Sequence, residues 1–414
     1  MPRKRWLIVS LLFVATTINY MDRILLAVLL PVIRDEFHFD ESVYGGITAA
    51  FQVAYAVGAL ICGKVLDRYG TRMGLALTAG IWSVAAMLHA TVTSPFQFGI
   101  WRWLLGLSEA ANFPAGNKAV AEWFSPEERG FAVGLYTAGV NVASIVGPPL
   151  FIGIQRVYGW RSCFMFTGSI GLVWMIVWFF VYHLPHHDSD PVSSTKVQQV
   201  PFREVVRYRQ AWGYGIAKFL TDPVWWFLLF WLPLYFHDVR HFEMTQLAWA
   251  LPLIYLMADV GAVAGGWYST RLIRRGWPLG NARKFALLLC ALAMPIAGLA
   301  VVVESSTLAI VLFSLATTSH NAWATNLFTT PSDIFPRQAV GQVSGLGGFL
   351  GGAGGVFVSA IIPGFLIKIV GYTPLFIAMT FLYLFAVAVV HWTMGDFRRV
   401  TMEPSPEPVM QSAG

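Results

Sequence analysis

Apolar residues run in long stretches broken by short polar ones, at roughly 6–33, 43–66, 73–93, 96–121, 130–155, 161–183, 211–236, 246–271, 284–303, 307–331, 341–369 and 372–394. Each is close to the ~20 residues a helix needs to cross a bilayer. The pattern predicts an all-α membrane protein with twelve transmembrane helices. The first stretch follows only Met1-Pro2-Arg3-Lys4-Arg5. It is too long for the apolar part of a signal peptide and lacks a small-residue cleavage site, so it reads as a retained helix.

One long internal stretch, 184–210, is polar, contains prolines and turns basic towards its end. It divides the chain into two six-helix bundles, 1–183 and 211–395, joined by a linker. Such six-plus-six arrangements place the solute site at mid-membrane between the halves. Residues 396–414 end in EPSPEPVMQSAG and read as a disordered tail. The basic residues sort by loop. Arg3, Lys4, Arg5, Arg68, Arg72, Arg129, Arg203 and Arg207 belong to one side, with Arg271, Arg274, Arg275, Arg283 and Arg337. The other side holds Arg34, Arg156, Arg161, Arg240 and Lys368. Positive charge stays in the cytoplasm, so both termini are expected there, as is the linker.

Composition agrees. The chain is 56% hydrophobic and 12% charged, against about 25% charged in soluble domains, and its mean hydropathy is +0.60. Lipid must serve as solvent for much of it. The net charge of +6 is sorted by loop and is no nucleic-acid signature. Cys62, Cys163 and Cys290 lie in three different apolar stretches and read as buried hydrophobes. No metal site and no cofactor is expected.

Against this background four charges stand out. Asp22 and Arg23 are adjacent inside the first stretch, and Arg102 and Glu109 lie in the fourth. A charge at mid-bilayer costs roughly 2.5–3.5 kcal/mol on insertion scales, so each needs a partner or a purpose. Seven residues are nearly two helical turns, which puts Arg102 and Glu109 on one face, and the depths of all four permit one cluster of zero net charge. The cluster is either structural glue or an anion site coupled to carboxylates that bind protons. Gln52, Tyr55, Asn141, Trp323 and Asn326 can donate, accept or stack on a polyhydroxy solute, or simply bond between helices. Lys218 and Asp222 have the spacing of an intrahelical ion pair. Asp259 is isolated, and Lys118 reads as a snorkelling side chain. The glycine run 345–355 reads as close helix packing, as the wall of a cavity, or as both.

The run Gly63-Lys64-Val65-Leu66-Asp67-Arg68-Tyr69-Gly70-Thr71-Arg72 resembles the loop signature of the major facilitator superfamily. The resemblance implies a cytoplasmic charge latch that includes Gly63, Asp67, Arg68, Gly70 and Arg72. In the second half Gly266 is kept but Thr270 stands where the aspartate would be. Asn19-Tyr20-Met21-Asp22-Arg23 resembles the signature of the anion:cation symporters within that superfamily, with Tyr55, Arg102, Glu109 and Gly159-Trp160-Arg161 in support. Lys218–Phe227, Phe230–Pro233, Ala258-Asp259, Gly265-Gly266-Trp267, His320–Trp323 and Asn326–Phe328 look like bacterial hexuronate transporters, although Asn321 replaces the usual glutamine. This resemblance implies import of a sugar acid such as a hexuronate or aldonate with protons, by a monomer in the bacterial inner membrane. Arg23 would hold the solute carboxylate, with Tyr20 beside it, and Asp22 and Glu109 would carry protons, with Arg102 between them. The alternatives are an exporter, on the strength of Val146-Gly147-Pro148-Pro149, and a transport-like sensor. No nucleophile elbow, phosphate loop or metal-spaced cluster suggests an enzyme.

Overall fold

In hydrocarbon a backbone must satisfy its own polar groups, and a helix does so within one segment. The computed structural model, which describes residues 2–124, 126–183, 202–395 and 397–402, is helical almost throughout. The first half holds α1 (Pro2–Phe37), α2 (Glu41–Leu88), α3 (Pro95–Glu109), α4 (Asn112–Trp123), α5 (Pro126–Thr137), α6 (Gly139–Tyr158) and α7 (Trp160–Val181). After the short α8 (Phe202–Val205), the second half holds α9 (Arg209–Asp238), α10 (Met244–Arg274), α11 (Leu279–Ala297), α12 (Ser306–Phe328), the short α13 (Thr330–Ile334), α14 (Arg337–Gly354), α15 (Ile362–Val370) and α16 (Tyr372–Met394).

Twelve membrane-crossing rods account for these helices, six in each half. Nine segments among the described residues are long and apolar enough to cross a membrane. The first part of α2, the broken rod α3–α4 and the polar α12 fill the three remaining places. The second and third sequence stretches form two helices, the two parts of α2, that meet at Gly70, whose φ of 71° and ψ of 169° are not helical. Glycine supplies that positive φ without steric cost. The eleventh rod passes through a π-helical stretch, Gly355–Ile361, between α14 and α15.

The two ends of the bundle differ. At the end far from the N terminus one apolar core joins Ile24–Ile33 of α1 to Val224–Phe236 of α9. At the N-terminal end the first half keeps a separate core, built on residues such as Ile8, Leu12, Trp82 and Trp178. The halves are therefore fused at the far end.

One sequence boundary shifts. Residues 397–402 join the packed protein rather than the expected tail: Phe397 is buried and Val400 N–H donates to Ile334 O at 2.8 Å. The part of the linker at 184–201, and 403–414, lie outside the described residues.

Candidate functional site

The charged cluster forms where α1 meets the break between α3 and α4. At that break the Glu109 carbonyl accepts from Asn19 Nδ2 at 3.4 Å, and Asn112 Nδ2 donates to Thr16 Oγ1 at 3.1 Å. These bonds fix the register of the two rods. Arg23 Nε donates to Glu109 Oε2 at 2.8 Å, with exposures of 1% and 0%. A buried pair this isolated is held by geometry, because each ion has given up its water.

Asp22 and Arg102 are buried in the same cluster but form no ion pair with each other. Arg102 Nη1 donates to the main-chain carbonyls of Asp22 at 3.2 Å and Arg23 at 3.4 Å. The sequence reading placed Arg102 between two carboxylates; it feels the charge of both, but its one hydrogen-bonding nitrogen, Nη1, goes to the α1 backbone. Asp22 has Thr167 beside it and feels the charges of Glu109 and Arg102. Neither of its carboxylate oxygens forms a hydrogen bond, nor do Glu109 Oε1, Arg23 Nη2 and Arg102 Nη2. These buried atoms have no protein hydrogen-bond partner among the described residues.

Aromatic rings enclose Arg23. Its guanidinium lies 4.6 Å from the Tyr20 ring centroid, 4.5 Å from Tyr55, 5.7 Å from Phe51 and 5.8 Å from Trp226. Three of those rings, Phe51, Tyr55 and Trp226, line a cavity of about 580 Å³ between α2, α9 and α14. The cavity lies between mid-bundle and the N-terminal end. It is lined as well by Gln52, Asp222, Phe349 and a glycine wall that includes Gly348, Gly352 and Gly355. Arg23 itself sits one ring behind the surface. Gln52 Nε2 donates to Ser359 Oγ at 3.0 Å across the halves, while its Oε1 is unpartnered.

Not every expected residue comes to this cavity. Asn326 is fully buried. Its Nδ2 donates to Gly265 O at 3.1 Å and Ala322 O at 2.9 Å, and its Oδ1 accepts from Arg283 at 3.2 Å. Those bonds use its capacity between α10, α11 and α12. Trp323 is also fully buried, with Nε1 donating to Thr221 Oγ1 at 3.1 Å. The tryptophan that lines the cavity is Trp226, not the expected Trp323. Asn141 is half-buried in α6 and does not line the cavity.

In the loop signature Gly63 and Asp67 lie on α2, but their surroundings fall outside what is described. Arg68 is exposed beside Tyr69. Arg72 turns inward, donating to Phe179 O at 2.8 Å and stacking 4.6 Å from the Phe179 ring. Lys118 donates to Leu66 O at 2.9 Å rather than snorkelling freely. The second half has its own tie here, Arg283 to Asp333 at 3.0 Å, which uses an aspartate outside the signature.

Sequence reasoning missed the closure at the far end. Arg34 at the end of α1 grips Asp238 at the end of α9 with both terminal nitrogens, at 2.6 and 2.7 Å. Tyr372 OH donates to the same carboxylate at 3.1 Å. Asp40 pairs with Lys368 across the halves, and Tyr44 OH donates to Phe230 O at 3.0 Å. Gly45 lies so close to α15 that a Cβ there would be 2.8 Å from the Gly364 Cα. The signal available was an arginine and an aspartate at matching ends of the first helix of each half.

The model of the Major Facilitator Superfamily matches residues 12–359. The chain belongs to the major facilitator superfamily. Among similar major facilitators, the hexuronate transporter of Escherichia coli (strain K12) is 30% identical, with 94% of each chain covered. The D-galactonate transporter of Escherichia coli O6:H1 is 28% identical, covering 96% of this chain and 97% of its own. The galacturonate transporter of Dickeya chrysanthemi is 29% identical over 70% of this chain and 89% of its own. A crystal structure of a bacterial homologue of the human lysosomal transporter Spinster, inward-facing and unoccupied, superposes with a TM-score of 0.78 at 18% identity, covering 97% and 99% of the two chains. The protein is therefore a multi-pass major facilitator transporter rather than an enzyme.

Proposed function

We propose that the protein imports a sugar acid, a hexuronate or related aldonate, together with protons by alternating access. The observation that carries this reading is the buried Arg23–Glu109 pair, set one aromatic ring behind a cavity of about 580 Å³. The names of the relatives at 28–30% identity support the substrate class.

The chemistry follows from charge balance. Asp22, Arg23, Arg102 and Glu109 sum to zero in a site closed to water. A solute carboxylate that engages Arg23 takes the place of Glu109. Glu109 is then a buried charge without its cation, an arrangement that costs several kcal/mol. A proton on Glu109 or Asp22 restores neutrality, so one anion calls for at least one proton. The free Nη2 of Arg23 and Oε1 of Glu109 allow that exchange without prior breakage of other bonds. Tyr20 and Tyr55 would flank the bound carboxylate, and Gln52 would take a hydroxyl.

The closed far end and the cavity towards the N terminus correspond to an inward-facing state. On this reading both termini face the cytoplasm of a bacterial inner membrane, and the signature loop with Asp67, Arg68 and Arg72 latches the opposite state. The test is uptake of labelled glucuronate, galacturonate and galactonate by proteoliposomes with an acidic exterior. Accumulation that collapses with a protonophore is expected. Uptake of none of these acids, or accumulation indifferent to the proton gradient, contradicts the proposal.

A further inference from the structure

Asp222 is the only charged side chain lining the cavity among the described residues. Its position is fixed from two sides. Its Oδ2 accepts from Lys218 Nζ at 2.6 Å, one turn earlier on α9. From α14, Gly351 comes so close that a Cβ there would lie 2.3 Å from the same oxygen. Lys218 is buried, with Nζ 4.0 Å from the Phe328 ring centroid, and it does not line the cavity. The cavity therefore meets the negative end of this pair and not the ammonium. Trp226, one turn later on α9, reaches Arg23 at 5.8 Å. The α9 wall thus carries an aromatic contact to the buried cation at one level and an anion about 6 Å along the helix at the other.

We infer that Asp222 is a specificity-determining residue that admits sugar acids with one carboxylate and rejects those with two. The inference rests on the sugar-acid reading above. A hexuronate or aldonate bound with its carboxylate towards Arg23 presents hydroxyls at its other end. A fixed carboxylate accepts from such hydroxyls, two at once where they are vicinal. A six-carbon di-acid has the same chain but brings a second carboxylate to Asp222. Like charges set against each other in a confined site exclude a wrong partner. Lys218 lessens the repulsion but lies on the far side of the carboxylate, so the incoming charge meets Asp222 first.

The test is binding to the purified full-length protein, by competition of galacturonate, galactonate and the di-acid galactarate. The wild type is expected to bind the two mono-acids at least about tenfold more tightly than the di-acid, and Asp222→Asn to narrow that ratio about tenfold by tighter di-acid binding. A merely structural Asp222 would weaken all ligands alike. Equal wild-type affinity for mono-acid and di-acid overturns the inference, and that measurement needs no variant to fold. An Asp222→Asn protein that binds mono-acids with an unchanged ratio overturns it too. A wild type that binds none of these acids overturns the sugar-acid reading itself, and this inference with it.

Discussion

Arg23 donates to Glu109 at 2.8 Å with both side chains shut from solvent, and three of the four rings that cover Arg23 also line the cavity. The pair is among the most deeply buried charges of the described residues. Arg23→Ala leaves Glu109 buried without a partner. It is expected to lower stability by roughly 3–5 kcal/mol, read as a lower unfolding midpoint in detergent, and to abolish uptake. The double variant Arg23→Met, Glu109→Met is expected to recover much of the stability and none of the transport.

The far-end closure depends on Arg34 and Asp238, which join the halves through two short bonds. Asp238→Asn removes the charge of that grip while keeping its size. The far end is then expected to open more often. A cysteine in place of Thr48, buried beside Arg23 and Arg102, should react severalfold faster with an impermeant thiol reagent applied from the far side. An unchanged rate would show that the apolar core holds the closure alone.

Asp40 and Lys368 form a second, more exposed tie. The Lys368 ammonium, then the Ser42 hydroxyl and Val43 N–H, hold the Asp40 carboxyl below its ordinary range. A lowered carboxyl contributes stability above its unfolded pKa and loses it as pH falls through the folded one. Asp40→Asn keeps the helix cap of α2 and removes only the ion pair. The wild type is expected to exceed it by about 0.2–1 kcal/mol near neutral pH, measured as the difference in unfolding midpoint. That difference should shrink as pH falls below the usual carboxylate range.

Much of this was legible in the sequence. The twelve apolar stretches give the rods, because lipid leaves the backbone no alternative. The charged quartet was found because each charge is an energetic anomaly in such a stretch. The glycine run proved to have two faces. Gly347, Gly351 and Gly354 meet α9 at Tyr214, Asp222 and Phe219, while Gly345, Gly348, Gly352 and Gly355 line the cavity, with Gly351 belonging to both sets. The roles of Asn326, Trp323 and Arg102 were not legible. An amide, an indole or a guanidinium bonds equally well to a solute, a carbonyl or a neighbouring helix, and only the fold decides. The Arg34–Asp238 grip was missed because loop-counting treats an arginine at a helix end as an orientation signal.

The two glycine faces make opposite demands. Gly354→Ala would place a Cβ 2.4 Å from Phe219 O, and Gly351→Ala would strike Asp222. Both are expected to reduce transport at least about tenfold, since backbone or a pinned side chain must move. Gly345 and Gly348 have nothing within 4 Å of an added Cβ. Alanine there is expected to leave stability, read as the unfolding midpoint, within about 0.5 kcal/mol of the wild type, as for an unobtrusive substitution.

On the proposed mechanism Glu109 exchanges its arginine for a proton when the sugar acid binds. Glu109→Gln keeps the shape, stays neutral and cannot carry that proton. The decisive measurement compares this variant with the wild type in proteoliposomes in two modes: exchange of labelled for unlabelled sugar acid, and accumulation driven by an acidic exterior. Exchange retained with accumulation lost is the expected result. A Glu109→Gln protein that still concentrates the solute as the wild type does would contradict the account.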